Sequence, residues 1–386
     1  MEKYCPKCFK KYPTSAARCE VDGSFLVSPM EKDLVGEVLE DRYDVLRQIG
    51  RGGMGVVYEA EQHLIKRRIA LKVLRREVVQ DENAVKRFLT EATAIAKLGN
   101  RHTITLHDFG VTRDGLLYYT MELLDGQPLS GLIDEGAPLN PFRAARLVLQ
   151  ACDSLKEAHD KGVLHRDLKP DNLFVVEEDG EEELRVLDFG IAKLMDEKTL
   201  EAVTGTGLIV GTPRYLSPEQ ALGNPAVPAS DLYSLAVVFY EMLAGAPPFL
   251  RSTPMKIMLA HIDDPVPRLG ETNPDVNIPV GIEVFLGRAL AKSAEKRFQS
   301  ASEFRDSLVT VLEQQRKLGE KVNLTPHSAT SQGLRVLTEA WDAGQVSGTK
   351  DDSDEVSAPA ATAVATPVSP KKERATGTEA PRLELG

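Results

Sequence analysis

A chain of 386 residues, 42% hydrophobic and 27% charged, can bury a sizeable core and divide into two or three domains. Its formal net charge of −11 argues against a general binder of nucleic-acid backbones, so no nucleic-acid partner is expected. The sequence lacks an apolar run of about 18 residues, the length of a membrane span, and opens on Glu2, Lys3 and Cys5 where a signal core would be apolar. A cytoplasmic protein with no transmembrane segment is expected.

Three of the four cysteines lie within the first 19 residues, a distribution that suits metal binding in a reducing compartment better than a disulfide framework. Cys5-Pro6-Lys7-Cys8 can form a knuckle that turns two thiolates towards one zinc ion. Cys19 adds a third thiolate, and Asp22 is the nearest candidate fourth ligand because no histidine precedes His63. The alternative is a remnant hairpin whose cysteines stay reduced. A unit of this size, residues 1–28, buries little core, so a bound metal would supply most of its folding free energy. Residues 29–42, acidic from Glu31 to Asp41, read as a linker.

From Tyr43 to Met121 short β-type runs (Val56-Val57-Tyr58, Ile69-Ala70-Leu71, Leu116 to Thr120) surround one helical period, which predicts a small sheet with one helix. Gly50, Gly52, Gly53 and Gly55 form a GxGxxGxV segment that ends on Val57, where backbone N–H groups can approach phosphates. A dinucleotide-binding turn would need a helix after the last glycine, whereas Val56-Val57-Tyr58 reads as strand. Lys72 sits on the next strand. Glu91 shares a helical face with Phe88, Ala92 and Ile95, and a carboxylate on an apolar stripe needs a counter-ion, for which Lys72 is the natural choice.

Beyond this point helices dominate. Asn140 is an N-cap with Pro141 at N1, and Leu147, Val148, Cys152 and Leu155 recur on one face, making Cys152 a core residue. His165-Arg166-Asp167-Leu168-Lys169-Pro170-Asp171-Asn172 places a base, a cation and an amide in one loop. Phosphoryl transfer calls for all three: Asp167 to accept a hydroxyl proton, Lys169 to hold phosphate and Asn172 to hold magnesium. Asp188-Phe189-Gly190 follows, with Glu177 to Glu183 read as a turn tip and Leu184 to Leu187 as the returning strand. Asp188 and Asn172 would supply hard oxygen ligands to a hard cation. A last helix is capped by Ser300 with Glu303, carries Phe304, Leu308 and Val311 as its stripe, and should end near Arg316. Residues 317–386 read as a mostly disordered tail, in which Leu334, Val336, Leu337 and Trp341 form at most a turn or two of marginal helix.

These motifs resemble those of the bacterial eukaryotic-like (Hanks-type) serine/threonine protein kinases over residues 43 to about 313, and the cysteine segment resembles the half-degenerate zinc ribbons found ahead of some of them. The resemblance implies an α+β, bilobal protein kinase fold over residues 43–316, with a small β-rich N-lobe (43–121) containing one helix and a larger, mainly helical C-lobe (125–316). It implies ATP with Mg²⁺ or Mn²⁺, the metal on Asn172 and Asp188, and the nucleotide received by Ile49, Gly50, Gly52, Gly53, Gly55, Val57, Ala70, Lys72, Met121, Glu122 and Leu124. Asp167, Lys169, Lys72, Glu91 and Thr212 would be the catalytic set, with Lys169 and Thr212 carrying the preference for serine and threonine acceptors on protein substrates. His165 would be a scaffold near the metal-binding aspartate.

Glu219 in Ser217-Pro218-Glu219 would pair with Arg297, and Asp231 would brace the loop backbone. Two departures stand out: Ser217 where the family usually has alanine, and Ala236 where it usually has glycine. Arg166 before Asp167 implies control by phosphorylation, with Thr204 and Thr206 as autophosphorylation sites, which could involve a homodimer. The rival reading is a catalytically weak pseudokinase scaffold that recruits partners through the ribbon and tail; the whole set Lys72, Asp167, Asn172 and Asp188 speaks against it.

Overall fold

The computed structural model describes residues 2–5, 10–13, 15–21, 23, 26, 33–51, 55–74, 90, 92–112, 116–189, 213–276 and 278–322. Cys8, Asp22, Gly52, Gly53, Glu91, Gly190, Thr204, Thr206, Thr212 and everything from residue 323, including Leu334 to Trp341, lie outside them.

The N-terminal unit contains an antiparallel pair, β1 (Glu2–Tyr4) and β2 (Lys11–Pro13), in which Lys3 faces Tyr12. Cys5, Tyr12, Cys19 and Leu26 are buried together.

An antiparallel six-stranded sheet comes next, made of β3 (Val38–Leu39), β4 (Tyr43–Arg51), β5 (Gly55–Gln62), β6 (Arg67–Leu74), β7 (Leu106–Val111) and β8 (Leu117–Glu122), in the order β3-β4-β5-β6-β8-β7. Period-two alternation gives the sheet two apolar faces. Val56, Tyr58, Ala60, Ile69, Leu71 and Val73 build the sheet's own core, while Leu74, Leu117 and Tyr119 join the core of the helical lobe. Residues 92–95 are helical, and Ile95 joins that second core. The stretch 29–42, expected as a linker, is in part structural: Leu34 and Leu39 enter the sheet core and β3 pairs with β4. A two-residue strand beside Glu37, Glu40 and Asp41 has too little periodicity to stand out in sequence.

β9 (Gly126–Pro128) leads into the helical lobe and pairs with β10 (Leu173–Glu178), which pairs with β11 (Glu181–Val186). The acidic run Glu177 to Glu183, expected as a turn tip, is mostly strand, and only Asp179 and Gly180, both with positive φ, make the turn. Three of its carboxylates find cations: Arg143 and Arg146, far away in sequence, for Glu182, Arg101 for Glu183, and Arg185 within the same hairpin for Glu178.

The described helices are α1 (Leu129–Gly136), α2 (Pro141–Asp160), α3 (Pro218–Ala221), α4 (Pro228–Ala244), α5 (Pro254–Ile262), α6 (Leu269–Thr272), α7 (Val280–Ala289) and α8 (Ala301–Val322). Asn140 caps α2 by accepting the N–H groups of Phe142 and Arg143, and Cys152 is fully buried on its inner face. Every side chain of α4 from Ala229 to Ala244 is buried, so this helix is the axis on which the lobe is built. Ser300 Oγ accepts the Glu303 N–H at 3.1 Å at the start of α8, which runs past Arg316 to Val322. Among the described residues no helix is long and apolar enough to cross a membrane. The result is a bilobal architecture, a curled β-rich lobe and a mainly helical one.

Candidate active site

The loop between α2 and β10 is positioned by one buried carboxylate. Asp231, in the first turn of α4, accepts the backbone N–H of Arg166 on Oδ1 at 2.7 Å and that of His165 on Oδ2 at 2.8 Å. His159 Nε2, at the end of α2, donates to Oδ2 at 2.8 Å. Burial pushes the Asp231 carboxyl up, but the His159 bond and charge outweigh it and hold it below the usual carboxylate range. With its amides fixed, Arg166 takes a φ of 63°, a left-handed conformation that costs a non-glycine residue about 1 to 3 kcal/mol.

His165 is fully buried, and burial pushes its pKa down, so the ring is neutral. Nδ1 accepts the Asp167 N–H at 3.3 Å, which leaves Nε2–H to donate to the Leu187 carbonyl at 2.8 Å. Its ring packs on Phe189, with centroids 4.8 Å apart. His165 therefore ties the loop to the segment before Asp188, as expected of a scaffold residue.

Around Asp167 the polar groups converge. Lys169 Nζ donates to Asp167 Oδ2 at 2.9 Å. Burial pulls the Lys169 pKa down, but Asp167 more than restores it and the amine stays charged. Asn172 Nδ2 donates to the Asp167 carbonyl at 2.8 Å and to Oδ2 at 3.3 Å. The amide nitrogen is thus committed and Oδ1 is the atom of Asn172 left to accept or ligate. Asp167 Oδ1 accepts no hydrogen bond among the described residues.

Asp188 follows β11 with a φ of 49°. Its Oδ1 accepts from Lys72 Nζ at 2.7 Å and from the Tyr119 hydroxyl at 3.0 Å. Burial raises the Asp188 carboxyl, yet the Lys72 charge and hydrogen bond hold it below its ordinary value, so it is an anion. Oδ2 takes neither bond. Asn172 Oδ1 and Asp188 Oδ2 are hard oxygens of the kind that magnesium or manganese prefers. Lys72 was expected to pair with Glu91; within the described residues its partner is Asp188.

The expected nucleotide residues line up along the β-rich lobe. Gly55 starts β5 where a Cβ would overlap the Val73 carbonyl, so the close approach of β5 and β6 requires glycine. Val57 faces Lys72 across these strands, Ala70 faces Met121, and Ile49 is partly exposed. Gly50 pairs with Val57. Met121 and Leu124 are half-buried, while the Glu122 carboxylate is taken up by the Thr105 N–H at 2.7 Å.

Sequence reasoning missed three supports. His159 has a weak signal, being a titratable residue four positions after Leu155 on the apolar stripe of α2. Gln220 Nε2 donates to the Arg166 carbonyl at 2.9 Å while Oε1 accepts from Ser217 N and Oγ, so the serine standing for alanine closes a capping box at α3. Tyr119 lies directly across from Lys72 in the β6–β8 register, a fact available only once the strands are aligned.

In the N-terminal unit Cys19 Sγ accepts the Val21 N–H at 3.3 Å and lies 3.2 Å from the Tyr12 hydroxyl. Among the described residues no group of three or more His, Cys, Asp or Glu side chains converges on a metal position; two of the four expected ligands fall outside them.

Residues 43–317 match the sequence profile described as the protein kinase domain. The chain is 37% identical over 293 residues to serine/threonine-protein kinase pkn3 of Myxococcus xanthus, covering 75% of this chain and 54% of that protein. It is 38% identical over 279 residues to a probable serine/threonine-protein kinase of Clostridium acetobutylicum, covering 72% and 41%. It is 36% identical over 277 residues to serine/threonine-protein kinase PknB of Mycobacterium leprae, covering 71% and 43%. The chain thus spans about half the length of these curated relatives or less. Among solved structures, the Mycobacterium tuberculosis PknI kinase domain superposes with a TM-score of 0.56 at 27% identity, covering 72% of this chain and 98% of that one. With the profile spanning most of its length, the chain belongs to the protein kinase family.

Proposed function

We propose that the protein is an ATP-dependent serine/threonine protein kinase that transfers the γ-phosphoryl group of ATP to hydroxyls of protein substrates. The observation that carries this reading is the single hydrogen-bonded cluster of Asp167, Lys169 and Asn172 beside the Lys72–Asp188 pair. Asp167 Oδ1 orients the acceptor hydroxyl and takes its proton as the oxygen attacks phosphorus. Lys169, already charged and held at Asp167, places positive charge beside the transferring group. Lys72 exchanges Asp188 for the α- and β-phosphates. Bound Mg²⁺ or Mn²⁺ on Asn172 and Asp188 would neutralise phosphate oxygens. The glycine-rich segment with Ile49, Val57, Ala70, Met121, Glu122 and Leu124 would cover the nucleotide.

The finer features are part of the same proposal. Lys169 with Thr212 selects serine and threonine, Glu91 supports Lys72, and Thr204 and Thr206 carry activating phosphates added by a second copy of the chain. The N-terminal unit, residues 1–28, binds zinc through Cys5, Cys8, Cys19 and Asp22, a reading supported by the Val21 N–H donated to Cys19 Sγ. Phosphoamino-acid analysis of a labelled protein acceptor tests the specificity: phosphoserine and phosphothreonine are expected, and phosphotyrosine would contradict it.

A further inference from the structure

Tyr119 is fully buried on β8, facing Lys72 across the strand pair, and the ammonium group lies 5.7 Å from the centre of its ring. Both side chains donate to the same carboxylate oxygen, Asp188 Oδ1, at 3.0 and 2.7 Å. We infer that Tyr119 is a positioning residue for Asp188, whose hydroxyl keeps the carboxylate oriented when Lys72 leaves it for the nucleotide. This inference rests on the kinase reading above.

The two donors differ in which of them persists when nucleotide binds. Lys72 cannot hold Asp188 and clamp phosphates with undiminished strength, because each claims the same charge. The tyrosine hydroxyl is neutral and buried, and a buried phenol keeps a hydrogen-bond partner. It can hold Oδ1 without bringing positive charge to a carboxylate that must attract a cation. With Oδ1 held, Oδ2 keeps its direction, as outer-shell donors do for ligating carboxylates elsewhere. Without the hydroxyl, the departure of Lys72 frees the carboxylate to rotate. The loss should therefore appear when metal and nucleotide are bound together, and not with nucleotide alone.

The test uses the full chain, with Mn²⁺ as a paramagnetic probe titrated in the presence of ADP. Tyr119→Phe should weaken Mn²⁺ binding about 10-fold, with metal-free ADP affinity unchanged. Tyr119→Met, which also lacks the hydroxyl, should do the same. Unaltered Mn²⁺ affinity in a folded Tyr119→Phe protein would overturn the inference, as would an equal loss of metal-free ADP affinity, which would mark a general support of the cleft. A wild-type chain that takes up no Mn²⁺ with ADP would instead overturn the kinase reading itself.

Discussion

Arg297 grips Glu219 with both terminal nitrogens, each 2.9 Å from a different carboxylate oxygen, and its guanidinium side chain has no exposed surface. The same guanidinium donates to the carbonyls of Ala229, Ala291 and Lys292. One buried cation thereby joins α3 to the start of α4 and to the turn after α7. Such a planar bidentate fit is available to arginine and not to lysine.

Removing one partner of a buried pair leaves an uncompensated charge, so Arg297→Met should cost about 3 to 5 kcal/mol in denaturant unfolding. The pH dependence has a defined sign. Burial raises the Glu219 carboxyl, but Arg297 outweighs it and holds the folded value below 4.5. The resulting stabilisation is complete above that value and drains away as pH falls through the lower, folded one. The gap in thermal midpoint between wild type and Glu219→Gln should accordingly narrow on acidification below about pH 4.5; a gap of constant size would contradict the pairing.

Asp231→Asn replaces with an NH₂ group one of the two oxygens that between them accept two backbone N–H groups and a histidine N–H. It should cost about 2 to 3 kcal/mol of stability. Because the loop amides lose their anchor, kcat should fall about 100-fold, while KM for ATP changes less, since the residues expected along the nucleotide from Ile49 to Lys72 and at Met121 to Leu124 lie on other elements. A parallel rise in KM would place the effect elsewhere.

Ser217→Ala restores the residue usual in the family and removes the cap of α3. A loss of about 1 kcal/mol is expected. Gln220 would also lose the hydroxyl, one of the two Ser217 donors that aim it at the Arg166 carbonyl, so backbone amide exchange at Arg166 and Asp167 should quicken. Unchanged exchange would show that Gln220 holds its place without the serine.

What could be read from the sequence divides by distance along the chain. The caps at Asn140 and Ser300 were legible because both partners lie within three residues. Asp167, Asn172 and Asp188 stood out in the sequence because their chemistry and spacing coincide. The strand identity of Glu177 to Glu183 was not, because the cations that make an acidic strand tolerable, Arg101, Arg143 and Arg146, come from elements far away in sequence. His159, Gln220 and Tyr119 escaped for a related reason. Each acts on a residue 54 to 72 positions away, through contacts that depend on helix packing or strand register.

If residues 1–28 bind zinc as proposed, removing a thiolate should remove the metal. Purified wild-type chain is expected to carry zinc in elemental analysis, and Cys5→Ser or Cys19→Ser to carry none and to leave residues 1–28 susceptible to protease. Zinc-free wild-type protein with a protease-resistant N-terminus would favour a hairpin of reduced cysteines.

Radiolabel transfer from ATP to a protein acceptor, compared between wild type and Asp167→Asn, bears most directly on the proposed activity. Asp167→Asn keeps the shape of the side chain and removes the proton acceptor, so labelling should fall about 100- to 10,000-fold while ATP binding persists. Equal labelling by the two proteins would contradict the assignment of Asp167 and with it the proposed chemistry of the site.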